Sequence, residues 1–445
     1  MDKIATENTD LKLQLLEDFK KLEANLNGES KNYFHKIRQD AIASFIELGF
    51  PVKKLEEWKY TNVNNILKHD FKTSESAGTS GITREEIKEV LFDEKVNLLV
   101  FVNGSFDEDL SDIITDNKNC FIGSFMKGRV LHNDIIEKHF SKYAEYKKSS
   151  LTALNTAFAA DGLFIYLKKN ETIEEPVHVI NISDSRKESF LSQPRNLFVL
   201  EEGASIKIAY DYISVGEEHS FTNSVTEIVL GENSNIHHYK IQNENSKAYF
   251  IGTTQVMQEK NSMFSDTTIS WGGAITRNNL NSVFNGSNTE CHFYGLYLLS
   301  GKQHVDNHTL ADHAMPHCYS NELYKGIIND SATGVFNGKI MVREDAQKTN
   351  AYQSNGNILL SEDATIYSKP QLEIFADDVK CSHGATTGQL NENEMFYLQS
   401  RGIGREQARI ILLNAFAGDV LDSVKIKGLR DKLQIMLESK LKYKK

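Results

Sequence analysis

The sequence is poor in the residues that staple, break or anchor a chain. Four cysteines, five prolines and two tryptophans are spread over 445 residues. Cys120, Cys291, Cys318 and Cys381 show no Cys-x-x-Cys spacing, which excludes a disulfide framework and a zinc finger and leaves four thiols in a reducing compartment. No apolar run reaches the ~18 residues of a membrane span. Met1-Asp-Lys-Ile-Ala-Thr-Glu-Asn8 has no apolar signal region, so a cytoplasmic protein is expected. Positive charge is also in deficit. Fifty Lys and Arg face 61 Asp and Glu, a net charge of −11, which argues against nucleic acid or an anionic membrane surface as the main partner.

Signatures of common catalysis are missing too. Neither Gly-x-Ser-x-Gly nor His-Glu-x-x-His occurs, so an ordinary hydrolase is not expected. Gly334-Val-Phe-Asn-Gly-Lys-Ile340 imitates a phosphate loop, but it is one residue short between its glycines and has Ile340 where a Mg²⁺-binding hydroxyl belongs. Gly402-Ile-Gly404 precedes a helix, but Gln407 takes the third glycine position of a dinucleotide fingerprint.

The length allows about three domains, and the character of the chain changes accordingly. Residues 1–150 read as a helical and mixed region. Leu11, Leu15, Phe19 and Leu22 form one helical stripe, and a second helix from Asn32 to Leu48 stops at Gly49 before Pro51. Trp58 and Tyr60 suggest a packed turn, and 74–81 a small polar linker. Thr83 and Glu86 have capping-box spacing, and Val96 to Val102 reads as a strand ending at an Asn103-Gly104 turn.

Residues 151–390 open with a short helix, Leu151 to Ala160, a turn at Asp161-Gly162 and a strand, Leu163 to Leu167. Thereafter one phrase recurs: an apolar residue, polar turn formers, a small residue and a short alternating strand. It starts at Leu200, Leu230, Phe284, Val342, Leu360 and Phe375, with intervals of 30, 18 and 15 residues among neighbouring starts. Such a quasi-period, with Gly or Asn at the turns, favours a β-solenoid. A β-sandwich would turn every ~8–12 residues and use more proline.

Residues 391–445 form helices, one from Asn391 to Ser400, one from Arg405 to Phe416 and a last run through Leu429, Leu433, Met436, Leu437 and Leu441. They read as a helical cap on the solenoid, with exposed apolar residues available to a partner.

Two constellations could carry chemistry. His304-Val-Asp-Asn-His308, Asp312-His313 and His317-Cys318 make the densest cluster of metal-ligand types. It is either a metal centre of a stand-alone β-helix enzyme or a set of groups satisfying backbone and interface positions on strands. Cys381-Ser-His383 lies where strands give way to helices. In an extended backbone the two side chains share a face, so they are either two ligands side by side or a buried thiol beside a hydrogen-bonded imidazole.

Several stretches resemble the SufB/SufD family of iron–sulfur cluster assembly proteins. They are Glu57-Trp-Lys-Tyr-Thr61, Leu154 to Tyr166, His304 to Cys318, Ser320-Asn-Glu-Leu-Tyr-Lys-Gly326, Gly334 to Ile340, Cys381 to Leu390 and Phe396 to Gly402. Within the family the chain is similar to the SufD branch rather than to SufB, because Gly384 stands where SufB carries an acidic residue.

The resemblance implies a right-handed parallel β-helix core with helical domains at both ends. It also implies a non-catalytic scaffold that pairs with a SufB-like paralogue along the β-helix edge and binds a SufC-like ABC ATPase through its C-terminal helices. His383, with Cys381 second, is the implied binding and metal-ligating site for a nascent Fe–S cluster shared with SufB. A reduced flavin in the complex and a homodimer of the isolated chain stay open.

Overall fold

Short strands joined by tight corners dominate the middle of the chain. In the computed structural model, which describes residues 10–26, 32–73 and 81–442, they wind into a parallel solenoid of eight coils. Each coil contributes to two facing sheets, one of 12 strands and one of ten. The first coil is made by Leu163–Leu167 and Val177–Ser185, and the last by Thr365–Ser368, Gln371–Ile374 and Lys380–Gly388.

The register fixes the true repeat. Tyr249 lies beside Ile275, the tightest coil at 26 residues, and Phe164 beside Leu197, the loosest at 33. The 30-residue interval from Leu200 to Leu230 is one full coil within one sheet. The intervals of 18 and 15 are half-coils, because Leu360 follows a strand of the opposite sheet from Val342 and Phe375. Strands of both sheets end on similar turns, so the phrase alone does not tell them apart.

Asparagine explains one corner. Asn233, Asn261 and Asn288 take φ of 59°, 58° and 57°, a left-handed conformation that asparagine tolerates. Their side chains stack, with the Asn261 amide donating to Asn233 Oδ1 at 2.9 Å and that of Asn288 to Asn261 Oδ1 at 3.3 Å. The same corner continues through His317 and Lys348 at φ of 63° and 62°.

Three apolar layers result. Inside the coils run Ile206, Ile236, Phe264 and Cys291 from one sheet against Phe198, Phe250, Phe284 and Phe336 from the other. Outside the 12-stranded sheet, Leu11, Phe45 and Leu154 of the helices Asp10–Ala24, Tyr33–Leu48 and Ser150–Ala157 pack on Phe221, Tyr249 and Ile251. Outside the ten-stranded sheet, Leu413, Leu429, Leu433 and Leu437 of the helices Arg405–Leu421 and Lys427–Lys442 pack on Tyr239, Ile269, Leu296 and Ile327. Each fully buried Leu or Phe side chain contributes about 1.5–3 kcal/mol.

This placement corrects the expected helical cap. The C-terminal helices run back along the flank of the solenoid and leave its last coil uncovered. Thr267 Oγ1 and Ser423 Oγ are 2.9 Å apart, and Lys432 Nζ donates to Asp211 at 3.1 Å, several coils from the end. An apolar helical stripe needs an apolar counterface. The outer rows of the middle coils supply one, whereas Lys380–Gly388 does not.

The helix signals hold closely. Asn32 and Thr83 cap their helices, and Thr83 with Glu86 forms the full capping box. Asn103 and Gly104, at φ of 51° and 84°, close a hairpin between Asn97–Val102 and Ser105–Asp112. The strands Asn97–Val102 and Cys120–Ser124 also join the two solenoid sheets, beside Val177–Ser185 and Leu163–Leu167. Linker residues 74–80 lie outside the described residues.

Candidate functional site at the open end of the solenoid

Lys380–Gly388 is the terminal strand of the ten-stranded sheet. It pairs in parallel with Asn350–Leu359, and among the described residues nothing pairs with its other edge. Cys381 lies beside Ala351 and His383 beside Gln353. Ala351 and Gln353 are buried in the solenoid interior, so the register directs Cys381 and His383 toward the interior as well. The shared face expected from the sequence is therefore present, with the two Cα atoms about 7 Å apart by strand geometry.

Their environments differ. Cys381 is half-buried and packs against the interior core. Burial raises its thiol above the ordinary range, partly opposed by a hydrogen bond with the Ala351 backbone. It is therefore a thiol at neutral pH that would shed its proton on binding a metal. His383 is exposed, because no further coil covers it. Gly384 beside it has open space around it, with nothing among the described residues within 4 Å of where a side chain would begin. The surrounding rim is apolar in part: Tyr367, Ile374 and Phe375 are 42%, 39% and 64% exposed.

Behind His383 lies a polar column that sequence reasoning missed. Parallel register places Gln353 beside His383, Glu322 beside Gln353 and Phe293 beside Glu322. Gln353 Nε2 donates to Glu322 Oε2 at 3.0 Å, and Thr309 Oγ1 donates to the same oxygen at 2.7 Å. The only sequence signal for these contacts is the coil length, since Gln353 precedes His383 by 30 residues.

The denser His304–His317 cluster is not one site. Strand alternation sends His304, Asp306 and His308 to the outer face and His313 to the interior. His304 Nε2 meets Thr61 Oγ1 at 2.8 Å, and His308 Nε2 meets Asp306 Oδ1 at 2.9 Å. Burial would raise the Asp306 carboxyl, but Arg277 and His308 hold it below the usual range. His313 bonds Ser320 at 2.9 Å inside the coil, His317 is a corner residue, and Cys318 accepts from Thr289 at 3.0 Å. Among the described residues, no three His, Cys, Asp or Glu side chains gather to hold a metal ion.

The outer part of this cluster instead anchors the Glu57–Thr61 segment. Arg277 donates to Asp306 at 2.6 Å and to the Glu57 carbonyl at 2.8 Å, and its guanidinium lies 3.9 Å from the Trp58 ring centre. Tyr60 stacks on Tyr367 of the last coil at 4.3 Å. The packed turn expected at Trp58 and Tyr60 is therefore a strap across the 12-stranded sheet.

The phosphate-loop imitation lies in the extended strand Thr333–Val342, where a Cβ at Gly338 would collide with Gln353. Near the C-terminus, Phe396 and Tyr397 are 72% and 58% exposed on the helix Glu392–Ser400, and Tyr397 lines a shallow groove with Ile411. No helix among the described residues is long and apolar enough to cross a membrane.

A two-sheet parallel solenoid clad by helices on both flanks, with a thiol and an imidazole at its bare end, defines the architectural class. Comparison with known proteins supplies the family. Residues 181–416 match the description "SUF system FeS cluster assembly, SufBD core domain", and residues 9–179 match "SufBD protein N-terminal region". An iron–sulfur cluster assembly SufBD family protein of Synechocystis sp. is 31% identical over 97% of this chain and 96% of its own length. SufD of Escherichia coli is 27% identical over 91% and 92% of the two chains, and SufD of Bacillus subtilis 27% identical over 88% and 91%. The chain belongs to the SufB/SufD family of iron–sulfur cluster assembly proteins.

Proposed function

We propose that this chain is a non-catalytic, cytoplasmic scaffold subunit of an iron–sulfur assembly complex, contributing half of a cluster-building site. A SufB-like paralogue would pair with its open β edge, and a SufC-like ABC ATPase would dock on its C-terminal helices. One observation carries the reading: among the described residues, His383 stands exposed on a strand whose outer edge is unpaired, with Cys381 beside it and no third ligand gathered there. An exposed edge with free backbone donors and acceptors is suited to pairing with a second chain.

The cluster is cargo here. Imidazole holds iron more weakly than thiolate does, which suits a site that must release what it builds. The exposed Phe396, Tyr397 and Ile411 offer an apolar docking face to the ATPase, whose closure on ATP would open the paired end.

Anaerobic coexpression of the chain with SufB-like and SufC-like partners tests this reading. Wild type should copurify with both and carry iron with visible absorption. His383→Ala should assemble equally well and lose most of the iron. Full iron loading in assembled His383→Ala, or failure of wild type to associate, overturns it. Cys381 should also react with a thiol reagent faster when the complex holds ATP, and equal reactivity with and without ATP would remove the opening step.

A further inference from the structure

The polar column behind His383 contains an imbalance of donors. Glu322 and Gln353 are 1% and 3% exposed and directly hydrogen-bonded through Gln353 Nε2 and Glu322 Oε2. Yet among the described residues neither Glu322 Oε1 nor Gln353 Oε1 finds a hydrogen-bond partner. Buried polar atoms are nearly always satisfied, and a single proton shared between these two acceptor oxygens would satisfy both at once. A neutral carboxylic acid supplies it.

We propose that Glu322 is held as a neutral acid whose Oε1–H donates to Gln353 Oε1, closing an acid–amide pair that makes Glu322 a positioning residue for His383. The link runs through the register. Gln353 is the residue beside His383 in the adjoining strand, and its amide packs into the space left by the missing side chain of Gly338 on the facing sheet. Losing the proton would set two bare oxygens against each other and loosen Asn350–Leu359 beneath the strand that carries His383.

The surroundings agree. Burial pushes the Glu322 carboxyl up to about 7, although Thr309 and Gln353 donate to it. Cys291 and Tyr324 feel its charge, both also feel Asp266, and Asp266 is itself paired with His238 at 2.6 Å. None of these brings a cation that would hold Glu322 ionised. The sign follows. The folded chain keeps this proton while the unfolded chain loses it, so the contribution to stability is full below the ordinary carboxyl range and is lost as pH rises to about 7.

The inference rests on the reading of His383 as a half-site, but its test does not need iron or a partner. Infrared difference spectra and hydrogen exchange would be recorded on the full isolated chain on either side of pH ~7. Wild type should show the carbonyl band of neutral carboxylic acid fading as pH rises, and part of that band should be missing from Glu322→Gln, the remainder belonging to Glu244, whose carboxyl burial also pushes up to about 7. Amide protection of the strand Lys380–Gly388 should fall several-fold over the same range in wild type and stay level in Glu322→Gln, which keeps a donor at all pH values. Should that variant misfold, Gln353→Leu leaves the acid and cuts the link, so its strand protection should not respond to pH. An undiminished band in Glu322→Gln, or equal pH response of strand protection in wild type and the folded variant, overturns the proposal. Such a failure leaves the scaffold reading standing, whereas failure of iron loading in the complex leaves the acid–amide pair standing.

Discussion

The middle and the end of the solenoid are built from the same coil but face different surroundings. Ser220–Leu230, under the N-terminal helices, is buried at ten of its 11 positions, because one side faces the coil interior and the other the helices. Asn350–Leu359 alternates buried with partly or fully exposed positions over most of its length. Lys380–Gly388 has no fully buried residue. All-parallel sheets are normally covered on both faces, so a bare terminal coil is the unusual part of the molecule. Both candidate ligands lie on it. Stability and function are thus segregated along one axis, with the clad coils holding the fold and the bare coil presenting the site.

Substitutions at the two regions should separate accordingly. The largest effect is expected at Arg195→Ala. Arg195 is buried, bonds Glu227 at 2.5 Å, and Glu227 in turn accepts from the backbone amides of Ser141, Tyr143 and Ala144. Removing one partner leaves a buried charge uncompensated and should cost about 3–5 kcal/mol, read as a lower denaturant midpoint. A loss under about 1 kcal/mol would mean that the clad region does not carry the fold as described.

Next comes the strap. Trp58→Ala removes the ring over the Arg277 guanidinium and should cost about 1–2 kcal/mol, with faster hydrogen exchange in 55–61. Unchanged exchange there would show that Arg277 and Asp306 hold the segment without the ring.

A pH effect should follow from Glu244, another carboxyl buried among the clad coils and pushed up to about 7 by burial, with Ser183 opposing. Its folded form keeps a proton that the unfolded chain has lost, so stability should fall as pH rises from the ordinary carboxyl range to about 7 and then level off. Glu244→Gln should remove its own share of that slope from the pH dependence of thermal unfolding, leaving the share of Glu322 over the same range, and an unchanged slope would assign it elsewhere.

The smallest effect on the fold is expected at the bare end. Tyr352→Ala and His383→Ala should each alter stability by less than about 0.5 kcal/mol in the isolated chain. If His383→Ala destabilises as much as Arg195→Ala, the separation of site from scaffold fails.

Much of this organisation was legible in the sequence because it is local. The helix caps at Asn32 and Thr83, the hairpin at Asn103-Gly104 and the asparagine corners depend on residues within a few positions of each other. The common face of Cys381 and His383 is also local, set by the two-residue period of a strand. The column beneath them was not legible, since Gln353 and Glu322 reach His383 only through parallel register across whole coils. The His304–His317 cluster misleads for a related reason: closeness in sequence on a strand sends neighbours to opposite faces. The C-terminal helices announced an apolar stripe, but which surface it meets is a tertiary matter.

The sequence by itself therefore determined the solenoid, the helices and the pair of candidate ligands, because periodicity and turn chemistry act over a few residues. Only the tertiary structure decided that the helices clad the flanks and leave the last coil open. Burial is settled by which faces find apolar partners, and that choice exposes His383 while keeping Cys381 half-buried and Glu322 sealed within.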